Sequence, residues 1–203
     1  MTFSFDENTH VYRLDGQVLP TLTGMLTADG WNGYLRDVPA EVLSAKCKFG
    51  TALHQALLHA EYGYEYDAQF QPHAFEWLKI CRRMDWVKKS FPLPIWENSE
   101  MPMAAKVGGL VFGMTPDRAH PDVVVELKAT YAPHESHNLQ TAMQVMGMGY
   151  KYDTSRFVAY FDRKGFRKLI PCGPNVVRDG QMLDVYAEAE RIIYEHALIP
   201  KAA

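Results

Sequence analysis

The sequence of 203 residues contains few cysteines, namely Cys47, Cys81 and Cys172, and it contains no CxxC pair. A zinc-binding knuckle needs paired ligands at short spacing, and a disulfide framework needs several cysteines in a short secreted chain. The cysteines here lie far apart in the sequence. Neither a zinc knuckle nor a disulfide framework is indicated, and we expect buried, unpaired thiols.

Long apolar runs and a strong charge of one sign are also lacking. No apolar stretch approaches the roughly 20 residues of a membrane span, and the opening MTFSFDENTH lacks the basic and apolar regions of a signal peptide. We therefore expect a cytoplasmic protein without membrane contact. The formal net charge of −3 argues against a surface coated in positive charge, although nucleic-acid binding needs only a local basic face.

The residues that are present have the composition of a globular protein. Hydrophobic residues make up 47% and charged residues 22% of the chain, values that favour neither a disordered nor a fibrous class. The length suits one domain with a substantial core and would be tight for two. We find no internal repeat and no linker, so we predict a single domain over residues 1–203.

Apolar periodicity predicts a mixture of strands and helices. Alternating apolar positions around Asp15-Gly16 predict a β-hairpin over residues 3–19, followed by a short helix that ends near residue 29. Four further helices are predicted over residues 39–63, 72–91, 137–152 and 179–196. The helix over residues 72–91 is the third in the chain, and it is predicted to bury Phe75 on its apolar stripe. Strands are predicted over residues 95–101, 107–115 and 122–129, and a second hairpin is predicted around residues 162–165.

The segment GMTPDRAHPDVVVELKAT, residues 113–130, carries the first chemical signal. Strand side chains alternate between faces, so Glu126 and Lys128 point the same way. Two ionisable groups on one face of an apolar strand are unfavourable unless they are paired or bind something. If the preceding strand is a neighbour, Asp117 can approach Glu126. Two converging carboxylates suit Mg²⁺ or Mn²⁺, with waters that a lysine can orient.

This segment resembles the PD-(D/E)XK nuclease superfamily. Pro116-Asp117 resembles the PD element, and Glu126-Leu127-Lys128 resembles the ExK element.

Other parts of the chain extend the resemblance to RecB-type members of that superfamily. Gly50 and His54 resemble their GxxxH helix, and Gln140 matches the glutamine of their QxxxY helix, with Gln144 in the tyrosine position. The opening DENTHVYRLDGQVLPTLTGML resembles the leader hairpin and helix of phage-type RecB-like nucleases. The resemblance spans residues 5–150.

The resemblance implies a fold, a reaction and a cofactor. The fold would be α/β, with a central mixed β-sheet flanked by α-helices in a restriction-endonuclease-like core and an N-terminal β-hairpin. The reaction would be phosphodiester hydrolysis with Mg²⁺ or Mn²⁺, and an imidazole ligand favours Mn²⁺ somewhat. Lys128 would position the attacking water, and Gln140 would orient Lys128 or a phosphate. The implied metal ligands are His54, Asp117, Glu126 and the backbone carbonyl of Leu127.

The resemblance favours a DNA exonuclease that acts on ends in recombination, repair or phage replication. Proteins of recombination or replication are then candidate partners, and the oligomeric state is open. The lack of a cysteine quartet argues against members that hold an iron–sulfur cluster. Two alternatives remain, a structure-specific or nicking endonuclease and a non-catalytic DNA-binding or assembly module. Gln144 at the tyrosine position is the sequence feature that points toward the second.

Two basic clusters are candidate DNA-binding surfaces. Cations beside an aromatic ring suit a single strand, and contacts to phosphates carry little sequence preference. Solubilising surface charge is the alternative for both. The first cluster comprises Lys79, Arg82, Arg83 and Trp86, together with Lys88 and Lys89, on the third helix, and the second comprises Arg163, Lys164, Arg167 and Lys168 in the second hairpin.

Each candidate site residue also has a plainer interpretation. Asp117 can be a turn residue after Pro116. Glu126 and Lys128 can belong to a solvent-facing edge strand, and His54 can be a hydrogen-bonded core residue.

For several other polar residues we adopt the plainer interpretation. Gln140 and Gln144 can lie on a helix rim, and for Gln144 this is our expectation. Glu100 precedes the central strands where some RecB-type proteins carry an accessory acid, but we interpret it as a solvated edge carboxylate. His134 and His137 are expected in loops or at the surface.

Overall fold

The computed structural model describes residues 1–84, 96–130 and 132–200. Within these residues the chain forms eleven strands and five α-helices. The strands are β1 Phe3–Asp6, β2 Val11–Leu14, β3 Gln17–Val18, β4 Met103–Val107, β5 Leu110–Met114, β6 Arg118–His120, β7 Val123–Lys128, β8 Ser155–Asp162, β9 Gly165–Pro171, β10 Asn175–Arg178 and β11 Gln181–Asp184. The helices are α1 Leu22–Ala28, α2 Ala40–Tyr62, α3 Gln71–Arg83, α4 Glu135–Met148 and α5 Val185–His196.

A four-stranded mixed sheet lies at the centre, in the order β6-β7-β8-β9. Strand β7 pairs antiparallel with β6 and parallel with β8, which pairs antiparallel with β9. A parallel pair needs a crossover connection, and α4 lies on the crossover between β7 and β8. The expected mixed α/β fold with an N-terminal hairpin is confirmed. The restriction-endonuclease-like character of its core and the single-domain organisation stay predictions.

Two groups of buried side chains hold the helices to the strands. Helices α2 and α3 pack against one face of the central sheet through Leu53, Leu57 and Trp77, which meet Val125 and Leu127. A second cluster joins α1, α4 and α5 to the β4–β5 hairpin, and it includes Met25, Leu26, Phe112, Met143 and Ile192. The side chains of β7 are buried from Val123 to Leu127, as the VVVEL run leads one to expect.

The N-terminal region is a three-stranded antiparallel sheet in the order β1-β2-β3. Asp15 and Gly16 form the expected tight turn between β2 and β3, with φ values of 48° and 79°. Thr21 then caps α1, because its hydroxyl accepts a hydrogen bond from the Gly24 amide at 2.9 Å.

The strand predicted over residues 107–115 is confirmed only over Leu110–Met114, because its predicted start lies in a turn. Gly108 and Gly109 adopt positive φ values of 55° and 89° and form a turn between β4 and β5. These strands form a separate two-stranded sheet, so β7 has β6 as its antiparallel neighbour instead. A Gly-Gly pair is hairpin turn chemistry, which the run of apolar residues around it obscured.

The third predicted helix is shorter than expected. Helix α3 ends at Arg83, because Met84 adopts extended φ and ψ angles of −64° and 131°. Phe75 is 54% exposed and Trp77 occupies the buried position instead. The remainder of the predicted helix, including Trp86, lies outside the described residues. Residues 96–101 form only an isolated bridge, between Asn98 and Ala119, in place of the expected strand.

The last predicted helix begins six residues late, at Val185. Asp179 and Gly180, with φ values of 50° and 78°, form the turn of the β10–β11 hairpin. This is the same Asp-Gly signal as at residues 15–16. Asp184 then caps α5 by accepting hydrogen bonds from two backbone amides.

None of the helices in the described ranges is both long and apolar enough to cross a membrane.

The close packing of α4 on the β4–β5 hairpin can be tested at Gly147. An added Cβ would lie 2.8 Å from the Met114 sulfur and 2.9 Å from the Ala105 Cβ. We expect Gly147→Ala to lower the free energy of unfolding by about 1–2 kcal/mol, despite the higher helix propensity of alanine. Urea denaturation measures this change. Gly33→Ala is the control, because a Cβ there meets nothing within 4 Å, and a stabilised Gly147→Ala would contradict the packing.

Candidate metal centre

The pairing of β6 with β7 positions the Asp117 carboxylate. Arg118 lies opposite Val125 in the antiparallel register, so Asp117 falls beside the end of β7. Its Oδ2 accepts a hydrogen bond from the Leu127 amide at 2.6 Å, and the residue is only 6% exposed. Asp117 is therefore a fixed, buried carboxylate and not a solvated turn residue.

Helix α2 brings His54 to this carboxylate. The His54 Nδ1 lies 3.4 Å from the Asp117 Oδ1 and 3.1 Å from the Glu100 Oε1. Its Nε2 lies 3.2 Å from the Leu127 carbonyl oxygen. One donor atom from each of His54, Glu100 and Asp117 lies within 4.8 Å of the others. We call these three residues the His54 triad.

The Glu126 carboxylate is held by three side chains. Lys128 Nζ donates to its Oε1 at 2.6 Å, and Gln140 Nε2 donates to the same oxygen at 2.7 Å. Gln144 Nε2 donates to Oε2 at 2.7 Å. Lys128 also donates to Gln140 Oε1 at 2.8 Å, which closes the network. Glu126 and Lys128 thus face α4, where the two glutamines lie one turn apart.

The charges of the site favour protonated bases and raise the pKa of an acid. Burial opposes a charge on His54, but Asp117 and Glu100 outweigh it and raise its pKa well above 6.5. Burial likewise opposes the charge of Lys128, and the Glu126 and Asp117 carboxylates outweigh it and raise its pKa. Burial, followed by the Asp117 charge, raises the pKa of Glu126. The site therefore has a negative potential that favours cations.

The buried Arg118 side chain positions Glu100, a member of the His54 triad. Arg118 is 0% exposed, and its Nε donates to Glu61 at 2.9 Å while its Nη1 donates to Glu100 at 3.0 Å. The Trp77 indole also donates to Glu61. Glu100 has a left-handed backbone with φ of 55°, which an ordinary side chain rarely adopts. Arg118 on β6 and His54 on α2 therefore both contact the Glu100 Oε1.

Two members of this site, Glu100 and Gln144, differ from their expected settings. The Glu100 side chain is 20% exposed and paired, so its interpretation as a solvated edge carboxylate is wrong. Gln144 is 1% exposed, so its placement on a helix rim is wrong as well. The available signals were the position of Glu100 before the central strands and the one-turn spacing of Gln144 from Gln140.

His134 and His137, both expected in loops or at the surface, lie in different environments. His137 is buried at 5% exposure, with its Nδ1 3.0 Å from the Tyr160 hydroxyl, which corrects its expected surface location. Burial, together with the nearby Lys128 charge, lowers the pKa of His137 to about 3. His134 precedes α4, and its ring nitrogen accepts a hydrogen bond from the Ser136 amide at 3.2 Å.

One cavity of about 620 Å³ contains both parts of the site. The His54 triad and the Glu126 network line it together with the N-terminal sheet and α1. Of the expected metal ligands, the structure brings together His54, Asp117 and the Leu127 carbonyl. Glu126 lies in the same cavity but is engaged by Lys128 and the glutamines.

The candidate DNA-binding residues lie elsewhere. Arg82 and Arg83 are exposed in the last turn of α3, and Lys79 pairs with Glu76 at 2.8 Å. Arg163 and Lys164 are exposed in the β8–β9 turn. Within the described part of the chain, neither cluster lines the cavity of the His54 triad.

The triad fits a divalent ion by its donor chemistry. Two carboxylates and an imidazole can bind Mg²⁺ or Mn²⁺, and the imidazole favours Mn²⁺. A metal-binding histidine usually donates its other ring N–H to a carbonyl, and the Leu127 oxygen is placed to accept it.

A second group of acids and a histidine, Asp29, Glu195 and His196, also lies close together. Its Asp29 carboxylate accepts hydrogen bonds from the Arg178 and Arg191 guanidiniums at 2.6 and 2.8 Å. Those cations already balance its charge. We therefore regard this group as an ion-pair network.

Comparison with known proteins identifies no relative. No protein-family model matches the chain, and no curated protein and no solved structure matches it significantly.

The triad can be tested by thermal unfolding with and without metal. An ion at a hundred times its Kd stabilises the folded state by about 2.7 kcal/mol. For a chain of this size we expect Mg²⁺ or Mn²⁺ at that level to raise Tm by about 5–10 °C. Asp117→Asn and Glu100→Gln should lose most of this shift, because each removes a charged ligand.

Glu195→Gln is the matched control for the metal experiment. It changes an acid of the ion-pair network, so the metal-dependent shift of Tm should match that of the wild type. A Tm shift that survives Asp117→Asn but disappears in Glu195→Gln would place the metal at the Asp29, Glu195 and His196 group and not at the His54 triad.

Proposed function

We propose that the protein is a divalent-metal-dependent deoxyribonuclease that hydrolyses phosphodiester bonds, acting as an exonuclease. The observation that carries this proposal is the meeting of the His54 triad and the Glu126–Lys128 pair in one cavity. A cation-binding donor set beside a lysine can supply a bound metal and a fixed positive charge, and both stabilise the negative charge that develops during phosphodiester hydrolysis. The resemblance of the motif order to RecB-type nucleases supports the exonuclease mode.

In this proposal the His54 triad holds the ion. When bound, the ion would polarise the phosphate and lower the pKa of a bound water. The ion would displace the proton from His54 Nδ1, which would then be the ligand atom, with Nε2 oriented by the Leu127 carbonyl. Arg118 would position Glu100 for the same task.

Lys128 acts as a cation in this proposal and not as a general base. Burial opposes its charge, but the Glu126 and Asp117 carboxylates raise its pKa, and its Nζ donates to Glu126 Oε1 at 2.6 Å. A protonated lysine can donate to the attacking water or to the oxygens of the phosphate, where negative charge grows during the reaction. Gln140 restricts the position of the Lys128 ammonium, because it accepts one of its hydrogen bonds at 2.8 Å.

In this proposal the two basic clusters bind the DNA outside the cavity.

We expect the double variant Arg163→Ala, Lys164→Ala to reduce the salt dependence of DNA binding. The slope of log K against log salt should fall by about one to two, because each lost phosphate contact removes about 0.7–0.9. Fluorescence anisotropy at several salt concentrations measures the slope. Lys106→Ala, which removes an exposed cation from β4, should leave it unchanged.

The enzymatic proposal is tested with end-labelled linear DNA and either Mg²⁺ or Mn²⁺. We expect the wild type to release nucleotides, and we expect Asp117→Asn and Lys128→Ala to reduce the rate at least about a hundredfold. Asp122→Asn and Lys151→Ala are matched controls, because both residues are exposed. Equal rates in all five proteins would refute the assignment.

The same assay separates the proposed function from its rivals. Cleavage of covalently closed circular DNA would indicate an endonuclease. DNA binding without cleavage and without metal binding would indicate a non-catalytic module.

A further inference from the structure

One wall of the cavity is aromatic and has no part in metal binding. The strands β1 and β2 contribute Phe5 and Tyr12 to it, and the connection between them contributes His10. The Phe5 ring centroid lies 4.7 Å from that of Tyr12 and 5.6 Å from that of His10. We call these three residues the aromatic wall.

Tyr12 anchors the aromatic wall to the rest of the protein. It is 5% exposed, and its hydroxyl lies 2.7 Å from the Thr115 Oγ1. Its ring lies directly on Gly113, where an added Cβ would come within 2.3 Å of a ring carbon. The half-buried Phe5 and the exposed His10 are therefore presented on a rigid support.

The backbone at the cavity carries unusual conformations. In the described ranges, the non-glycine residues with positive φ are His10, Asp15, Glu100 and Asp179. The two aspartates belong to Asp-Gly turns, which require this conformation. His10 and Glu100 both line the cavity. Backbone strain of this kind concentrates at functional sites, and at His10 it places an imidazole where turn chemistry favours glycine or asparagine.

The cavity is too small for duplex DNA, and its side chains alone carry a net negative charge. Its volume of about 620 Å³ is within the range of clefts for small ligands, roughly 300–1,000 Å³. Its charged lining consists of Glu7, Glu100, Asp117 and Glu126 against Lys128, besides two histidines. The bound ion would attract the phosphate, whereas the cavity offers a base mainly uncharged and aromatic surface beyond the metal centre.

We propose that the aromatic wall stacks on the base of a nucleotide next to the phosphate at the metal centre, so that the cavity accepts a single unpaired strand. This inference rests on the proposed nuclease function. Base stacking on aromatic side chains is independent of sequence and tolerates every base. A paired end must therefore fray before its terminal nucleotide can enter.

The test compares kcat/KM for single-stranded oligonucleotides that differ only in one abasic nucleotide. The abasic nucleotide is placed in turn at each of the first few positions from either end. We expect the wild type to lose about five- to a hundredfold at one position. In Phe5→Ala that ratio should approach one, because the ring that distinguishes a base from its absence is gone.

The ratio is insensitive to partial unfolding, because both substrates meet the same preparation. Phe5→Leu, which keeps an apolar contact to Tyr12, should also lower the ratio. Phe3→Ala is the matched control, since Phe3 lies on the same strand and its ring centroid lies 6.5 Å from that of Tyr12, but Phe3 does not line the cavity. The Phe3 variant should retain the ratio of the wild type.

Three results would overturn the inference while leaving the nuclease function intact. They are a wild type that cleaves every abasic substrate as fast as the complete strand, a Phe5→Ala variant that keeps the ratio of the wild type, and a fully paired end that is cleaved as fast as a single strand. Failure of the proposed function is distinct, because the wild type would then cleave no DNA with either metal, and the inference would fall with it.

Discussion

The hydrogen bond from the Leu127 amide to the Asp117 carboxylate is the contact on which the rest of the site depends. Strand β6 spans only Arg118–His120, so pairing alone would leave Asp117 at the end of a very short strand. The bond of 2.6 Å fixes the carboxylate against β7. His54 and Glu100 then meet around it from α2 and from the segment before β4.

Buried charge is tolerated here because each charged group has a partner of opposite sign. Helix α2 supplies part of this balance from one face, since His54 and Glu61 lie seven residues, or two turns, apart. His54 meets the acids of the triad, and Glu61 meets Arg118. Between them, Leu57 packs into the core below the sheet. The helix therefore combines an apolar stripe that packs with a polar edge that organises the cavity.

The topology of the central sheet explains the second half of the site. Strands β7 and β8 are parallel, so the chain must cross over the sheet, and α4 lies on that crossover. The crossover passes over the face to which Glu126 and Lys128 point. Gln140 and Gln144 are thereby delivered to the Glu126 carboxylate. The same connection that builds the sheet places the amides of the site.

Local patterns in the sequence determined much of this protein. The alternation of faces along the strand VVVELK set the common face of Glu126 and Lys128, the Asp15-Gly16 pair set a turn, and helical spacing set most of α2 and α4. Local signals also failed where two of them competed, as at Gly108-Gly109 within an apolar run. Only the tertiary structure decided that Glu100 and Gln144 join the site, that β6 and not β5 borders β7, and that an aromatic wall closes the cavity. These outcomes depend on contacts between residues that are far apart in the chain. The energies of such contacts cannot be read from hydrophobic periodicity or from turn preferences, because both patterns are local.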